Sequence, residues 1–205
     1  ARGNNKSLII GDMPFLTYHT STADALRNAG RFLQEAGAQG VKLEGGRERL
    51  EVVKVLVDAG IPVMGHLGLT PQSVHQLGGF KVQGKTDEAA RKLIEDALAL
   101  EQAGIFALVL ECVPAGLAEQ VTAALSIPTI GIGAGAGCNG QVLVIHDMLG
   151  LNGNKVPKFV KQFANLRKEM LQAVLAYKTE VEEGIFPGPE HTFLLEAKER
   201  IEKLY

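Results

Sequence analysis

The sequence has no tryptophan and only two cysteines, Cys112 and Cys138, among its 205 residues. Two thiols are too few for a disulfide framework, so a reducing, cytoplasmic setting is the expectation. Charge of one sign is also lacking: 21 Lys+Arg stand against 23 Asp+Glu, a formal charge of −2. That balance gives no basic footprint for nucleic acid and no polybasic signal for an anionic membrane surface. Long apolar runs are missing as well. None approaches the roughly 18–20 residues that span a bilayer, and the opening residues do not read as a charged-then-apolar export signal. Glycine, by contrast, is plentiful, at 24 residues against an average of ~7%. Without low complexity, that excess asks for tight turns and for backbone that approaches something closely.

Short apolar runs alternate with amphipathic stretches along most of the chain. Ser7–Asp12 reads as a buried strand ended by Met13-Pro14, followed by a helix capped by Ser21 or Thr22 and stopped at Gly37. Further strands are expected over Gly40–Glu44, Ile61–His66, Phe106–Glu111, Pro128–Ile132 and Gln141–Ile145. Between them lie a helix carrying Leu50, Val53 and Val57, a short one opened by Thr70-Pro71, a longer one capped by Thr86, and one started by Pro114. A long helical stretch is expected over Pro157–Glu183, and a last helix over Glu190–Leu204. Strands joined by helical crossovers make a parallel α/β sheet. No linker or internal repeat interrupts it, so residues 1–205 read as a single domain with C-terminal helices from about 157.

Polar residues gather where the strands end: Asp12, Lys42 with Glu44, His66, Glu111, and Asp147 past the sixth strand. A (β/α)8 barrel draws its catalytic groups from the ends of several strands on one face, whereas a doubly wound sheet concentrates them at one switch point. The pattern favours the barrel. Six strands do not close one, however, and ~250 residues is typical.

Within Val41-Lys42-Leu43-Glu44-Gly45-Gly46, strand alternation puts Lys42 and Glu44 on one face and Val41 and Leu43 on the other. The charged pair is either an ion pair at the barrel rim or part of an active site at its mouth. Asp12 either closes a turn or joins Glu44 in offering two hard oxygens to Mg²⁺. Glu111 follows four apolar residues, which suits a general base; pairing with a neighbouring cation is the alternative. His66 alone fits a structural residue as well as a ligand contact, and the five histidines show no HExxH-like spacing. Gly135–Gly140 satisfies G-x-G-x-x-G, but Gln141–Ile145 then reads as a strand where a dinucleotide fold requires a helix. Cys112 has no evident histidine partner and reads as a small buried residue.

Six runs occur in order: Gly11-Asp12-Met13-Pro14-Phe15, Val41–Gly46, Gly65-His66-Leu67-Gly68-Leu69-Thr70-Pro71-Gln72-Ser73, Gly79-Phe80-Lys81-Val82-Gln83-Gly84, Leu110-Glu111-Cys112-Val113-Pro114 and Gly131-Ile132-Gly133-Ala134-Gly135. Together with Pro157-Lys158-Phe159 and Phe186–His191, they resemble the ketopantoate hydroxymethyltransferase family over nearly the whole chain. The resemblance implies a (β/α)8 TIM barrel of the phosphoenolpyruvate mutase/isocitrate lyase type, with about six of its eight strands in this sequence. It implies Mg²⁺-dependent hydroxymethyl transfer from 5,10-methylenetetrahydrofolate to 3-methyl-2-oxobutanoate through a Mg-stabilised enolate, giving 2-dehydropantoate for pantothenate synthesis. Asp12 and Glu44 would be metal ligands, Asp12 and Lys42 would contact the keto acid, and Glu111 would accept the proton. His66 and Lys81 remain candidates for supporting or covering the site. Large homo-oligomers, often decamers, are implied too.

One departure stands out. The family carries an earlier segment with two strands and a Gly-Asp-Ser-x-Gly run, which supplies a further metal aspartate and a substrate-binding serine. Nothing in these residues matches it. The sequence is therefore expected to lack the family's front segment, and on its own to be inactive or poorly active. Two competing readings remain: another Mg²⁺-dependent 2-oxo acid C–C lyase or mutase of the same superfamily, and a non-catalytic binding subunit.

Overall fold

The computed structural model describes residues 1–153 and 156–194. The chain divides into two compact units, Ala1–Leu143 and a second that begins at Val144.

The first unit holds a six-stranded sheet: β1 (Ile10–Asp12), β2 (Gly40–Lys42), β3 (Val63–Gly68), β4 (Ala107–Glu111), β5 (Thr129–Ile132) and β6 (Gly140–Gln141). Every neighbouring pair is parallel, and the spatial order is the order of the chain. A doubly wound sheet reverses its order at a switch point. This one does not, so the fold is α/β with six strands of a (β/α)8-type barrel wall. The crossovers are α1 (Thr22–Ala36), α2 (Leu50–Asp58), α3 (Asp87–Gln102) and α4 (Ala115–Ala124). β5 passes to β6 through a glycine-rich loop without a helix.

The helices stop and start where the sequence chemistry demands. Ser21 Oγ accepts the Asp24 backbone N–H at 3.1 Å, and Thr86 Oγ1 accepts that of Ala89 at 3.2 Å. Gly37 closes α1 in the left-handed region at φ 66°. Alternation along the strands then sorts two faces. Val41, Leu43, Val63, Leu67, Leu108 and Leu110 join the main core with Ala25 and Ala29 of α1, Val53 and Leu56 of α2, Leu100 of α3 and Val121 of α4. Each such side chain, fully buried, stabilises by about 1.5–3 kcal/mol. The other face begins with a smaller apolar cluster of Met64, Ala107, Val109 and Ile132, packed by Ile10 and Ile130. Its next row, toward the strand ends, is polar.

Several elements are shorter than the sequence patterns suggest. β1 starts at Ile10 rather than Ser7, because the Asn4 side chain accepts the backbone N–H groups of Lys6 and Ser7 and holds them in a turn. The segment opened by Thr70 is a single 3-10 turn, Pro71–Ser73. The sixth strand, expected over Gln141–Ile145, is only Gly140–Gln141. Val142, Val144 and Ile145 are exposed, with no burial to hold them extended.

In the second unit, Ile145–Met148 forms the short helix α5, which contains Asp147. The stretch expected to be helical from Pro157 becomes so only at Leu166, where Asn165 caps α6 (Leu166–Glu182) by accepting the Lys168 N–H at 3.2 Å. α6 has no buried residue in this unit, and its Met170, Leu171, Val174, Leu175 and Tyr177 are exposed. Of the last expected helix, Pro189–His191 forms one 3-10 turn, and residues 195–205 lie outside the described residues. No helix among the described residues is long and apolar enough to cross a membrane.

Candidate functional site

Register brings the polar row together. Asp12 pairs with Lys42 across β1 and β2, and Gly68 with Glu111 across β3 and β4. With Val41 and Leu43 committed to the helix-side core, Lys42 and Glu44 turn to the opposite face. The Lys42 ammonium lies 2.8 Å from Asp12 Oδ1, 3.3 Å from His66 Nδ1 and 3.9 Å from Glu44 Oε1. His66, on β3, is the link between the two halves of the site. Its Nδ1 is 3.7 Å from Glu44 Oε1, and its Nε2 is 3.2 Å from Glu111 Oε2. The latter approach has the length of a hydrogen bond without its direction, so among the described residues Nε2 has no hydrogen-bond partner, in a side chain only 3% exposed.

The row therefore runs Asp12–Lys42–Glu44–His66–Glu111, open at the aspartate end and closed toward the centre. Asp12 is 58% exposed and Glu44 only 5%. Burial pushes the Glu44 carboxyl above the usual carboxylate range, while His66, the Gln72 backbone N–H and Lys42 oppose that shift. Glu44 Oε2 accepts the Gln72 N–H at 3.0 Å. Its Oε1 receives no hydrogen bond among the described residues, so its lone pairs remain open beside Lys42 and His66.

Glycines make the strand ends possible. Gly68 sits at φ 94°, and a Cβ there would collide with the Glu111 carbonyl oxygen. A Cβ on Gly46, just after Glu44, would stand 2.5 Å from Asp96 Oδ2 of α3. Both positions thus need glycine for close approach of another element.

Two residues of this region carry no role in the sequence reading. Tyr18 is fully buried beneath the row, and its hydroxyl donates to Gln72 Oε1 at 2.7 Å. Gln72 follows the Thr70-Pro71 turn, and its Nε2 donates to the Met13 carbonyl at 2.9 Å. The only available signal was the position of Gln72 within the Gly65–Ser73 run.

Other candidates lie elsewhere. Lys81 is exposed in the loop before α3, and its ammonium makes no hydrogen bond or ion pair among the described residues. That loop is nevertheless tied to the site's edge, since the Gln83 N–H donates to the Cys112 carbonyl at 2.9 Å. Cys112 is buried, in the left-handed region at φ 48°, and burial pushes its thiol up. The glycine-rich segment leads into β6 and not into a helix, so it is not a dinucleotide motif. Among the described residues, no three His, Cys, Asp or Glu side chains converge as a preformed metal cluster.

A family model described as Ketopantoate hydroxymethyltransferase matches residues 1–189. The 3-methyl-2-oxobutanoate hydroxymethyltransferase of Syntrophomonas wolfei is 59% identical over 204 residues, which span 100% of this chain and 74% of that protein. The protein of the same name from Heliobacterium modesticaldum is 61% identical over 192 residues, 94% of this chain and 70% of that one. That from Syntrophus aciditrophicus is 60% identical over 194 residues, covering 95% and 71%. With the matched region carrying every residue of the polar row, the chain belongs to the ketopantoate hydroxymethyltransferase family.

Proposed function

We propose that the protein transfers a hydroxymethyl group from 5,10-methylenetetrahydrofolate to 3-methyl-2-oxobutanoate, giving 2-dehydropantoate and tetrahydrofolate in pantothenate synthesis. The observation that carries this reading is the convergence of Lys42, Glu44, His66 and Glu111 on one face of the strand ends, within a family of that name.

Each residue has a task that its surroundings support. Glu111 accepts the proton from the carbon beside the keto group, which leaves that carbon free to attack the one-carbon unit, with water supplying the new hydroxyl oxygen. His66 Nε2, 3.2 Å away, sets a buried imidazole beside the Glu111 carboxylate. Lys42 binds the keto acid together with Asp12 and puts positive charge where negative charge develops on the keto oxygen. Asp12 and Glu44 are the two residues to hold Mg²⁺, which takes one or two protein carboxylates and completes its shell with water and substrate oxygens. The open Glu44 Oε1 and the exposed Asp12 carboxylate, both facing Lys42, have the hard-oxygen chemistry for it. When bound, the ion supplies Lewis-acid polarisation of the keto oxygen. The reading also includes assembly as a cytoplasmic homo-oligomer, which sedimentation of the purified protein measures.

The test is deuterium exchange. In D₂O with Mg²⁺ and without folate, the whole protein, including any segment that supplies the family's Gly-Asp-Ser-x-Gly run, should exchange the C3 proton of 3-methyl-2-oxobutanoate, followed by NMR, and methylenetetrahydrofolate should then convert the acid to 2-dehydropantoate. Absence of both exchange and product overturns the proposal.

A further inference from the structure

Below the polar row lies a closed ring of hydrogen bonds that the proton transfer does not use. The Glu44 backbone N–H donates to the Tyr18 hydroxyl at 3.2 Å, and that hydroxyl donates to Gln72 Oε1 at 2.7 Å. Gln72 in turn gives its backbone N–H to Glu44 Oε2 at 3.0 Å and its Nε2 to the Met13 carbonyl at 2.9 Å. The ring thus returns to the residue where it began. It joins chain segments that follow β1, β2 and β3 and precede α1. Arg49 lies over the Tyr18 ring, 5.7 Å from its centroid, and fixes its other side.

Simple filling of this space would need only apolar side chains. Burying a tyrosine hydroxyl and half-burying a glutamine amide costs free energy unless they are bonded, and here both find partners, the hydroxyl as donor and acceptor. The arrangement spends one Glu44 oxygen on the ring and leaves the other open toward Lys42 and His66. We infer that Tyr18 and Gln72 are positioning residues that lock the Glu44 carboxylate in this orientation, so that Oε1 is presented to a divalent cation. The inference rests on the proposed role of Glu44 as a metal ligand. Partners that orient a metal-binding carboxylate typically carry 10–100-fold in metal affinity.

The experiment is a Mn²⁺ titration of the whole protein, reading free Mn²⁺ by electron paramagnetic resonance, with Tyr18→Phe, Gln72→Met and Glu44→Gln. Circular dichroism verifies folding. Tyr18→Phe and Gln72→Met should each lower Mn²⁺ affinity roughly tenfold or more, and Glu44→Gln should lower it at least as far. If Tyr18→Phe does not fold, Gln72→Met, which keeps the backbone N–H to Glu44, decides the matter. Full affinity in folded Tyr18→Phe or Gln72→Met, with loss in Glu44→Gln, overturns the clamp alone. Failure of the unaltered protein to bind Mn²⁺, or full binding by Glu44→Gln, overturns the metal-ligand reading and the clamp with it.

Discussion

Glu111 stands at the end of β4 with Leu108 and Leu110 buried on the opposite face, so its side chain has no alternative but the site. Replacing it with glutamine keeps the shape and removes the proposed base. Glu111→Gln should slow C3 proton exchange by about 10²–10⁴-fold, measured by NMR in D₂O, while keto-acid binding measured by calorimetry persists. Gly68→Ala should act through structure instead. Its φ of 94° and its approach to the Glu111 carbonyl leave no place for a methyl group. A loss of more than about 1 kcal/mol is expected in urea unfolding, with activity lost in parallel. At this scale the sequence is legible wherever alternation applies: Lys42 and Glu44 are two apart, flanked by valine and leucine, and their side is decided by the pleat. Tyr18 and Gln72 are not legible in that way. They lie 54 residues apart outside any strand, and only the sheet register brings them together.

Helix α1 shows what a cap contributes as an element. Ser21 Oγ takes the Asp24 N–H, and the Asp24 carboxylate accepts from the Ser21, Thr20 and Arg27 side chains. Ser21, then Arg27 and Thr20, hold the Asp24 carboxyl below its ordinary 3.8. An acid depressed in this way stabilises the fold above its unfolded value, and the contribution fades as pH falls through the depressed value. Asp24→Asn should therefore melt earlier than the unaltered protein at neutral pH, with the gap closing in acid below 3.8. Ser21→Ala should cost about 1 kcal/mol in the same melts. Caps were readable because their chemistry is local. The ends of β6 and the start of α6 were not. Val142, Val144 and Ile145 have strand composition but no layer to bury them, and the Pro157–Asn165 stretch has helix-forming residues that precede the actual cap at Asn165.

For the molecule as a whole, parallel strands in chain order, with an apolar row at one level and a charged row at the next, bring the charged side chains to one end of the sheet. A ligand that binds only the folded state stabilises all of it. Mg²⁺ or 3-methyl-2-oxobutanoate, each at about 100 times its own dissociation constant, should add about 2.7 kcal/mol, or roughly 5–10 °C in a thermal melt. Glu44→Gln should abolish the Mg²⁺-dependent part. The barrel class was legible from polar residues at several strand ends. The loop without a helix between β5 and β6 was legible too, because Gly135–Gly140 leads into residues of extended composition.

Among the described residues the two strands at the ends of the sheet order are short, three residues in β1 and two in β6. Edge strands invite pairing with another molecule in proportion to the unpaired backbone they display. Two or three residues display very little. Concentrated solutions of the protein should accordingly resist ordered, cross-β self-association even where heat loosens the helices. Amorphous clumping without thioflavin T fluorescence is the expected end of thermal denaturation.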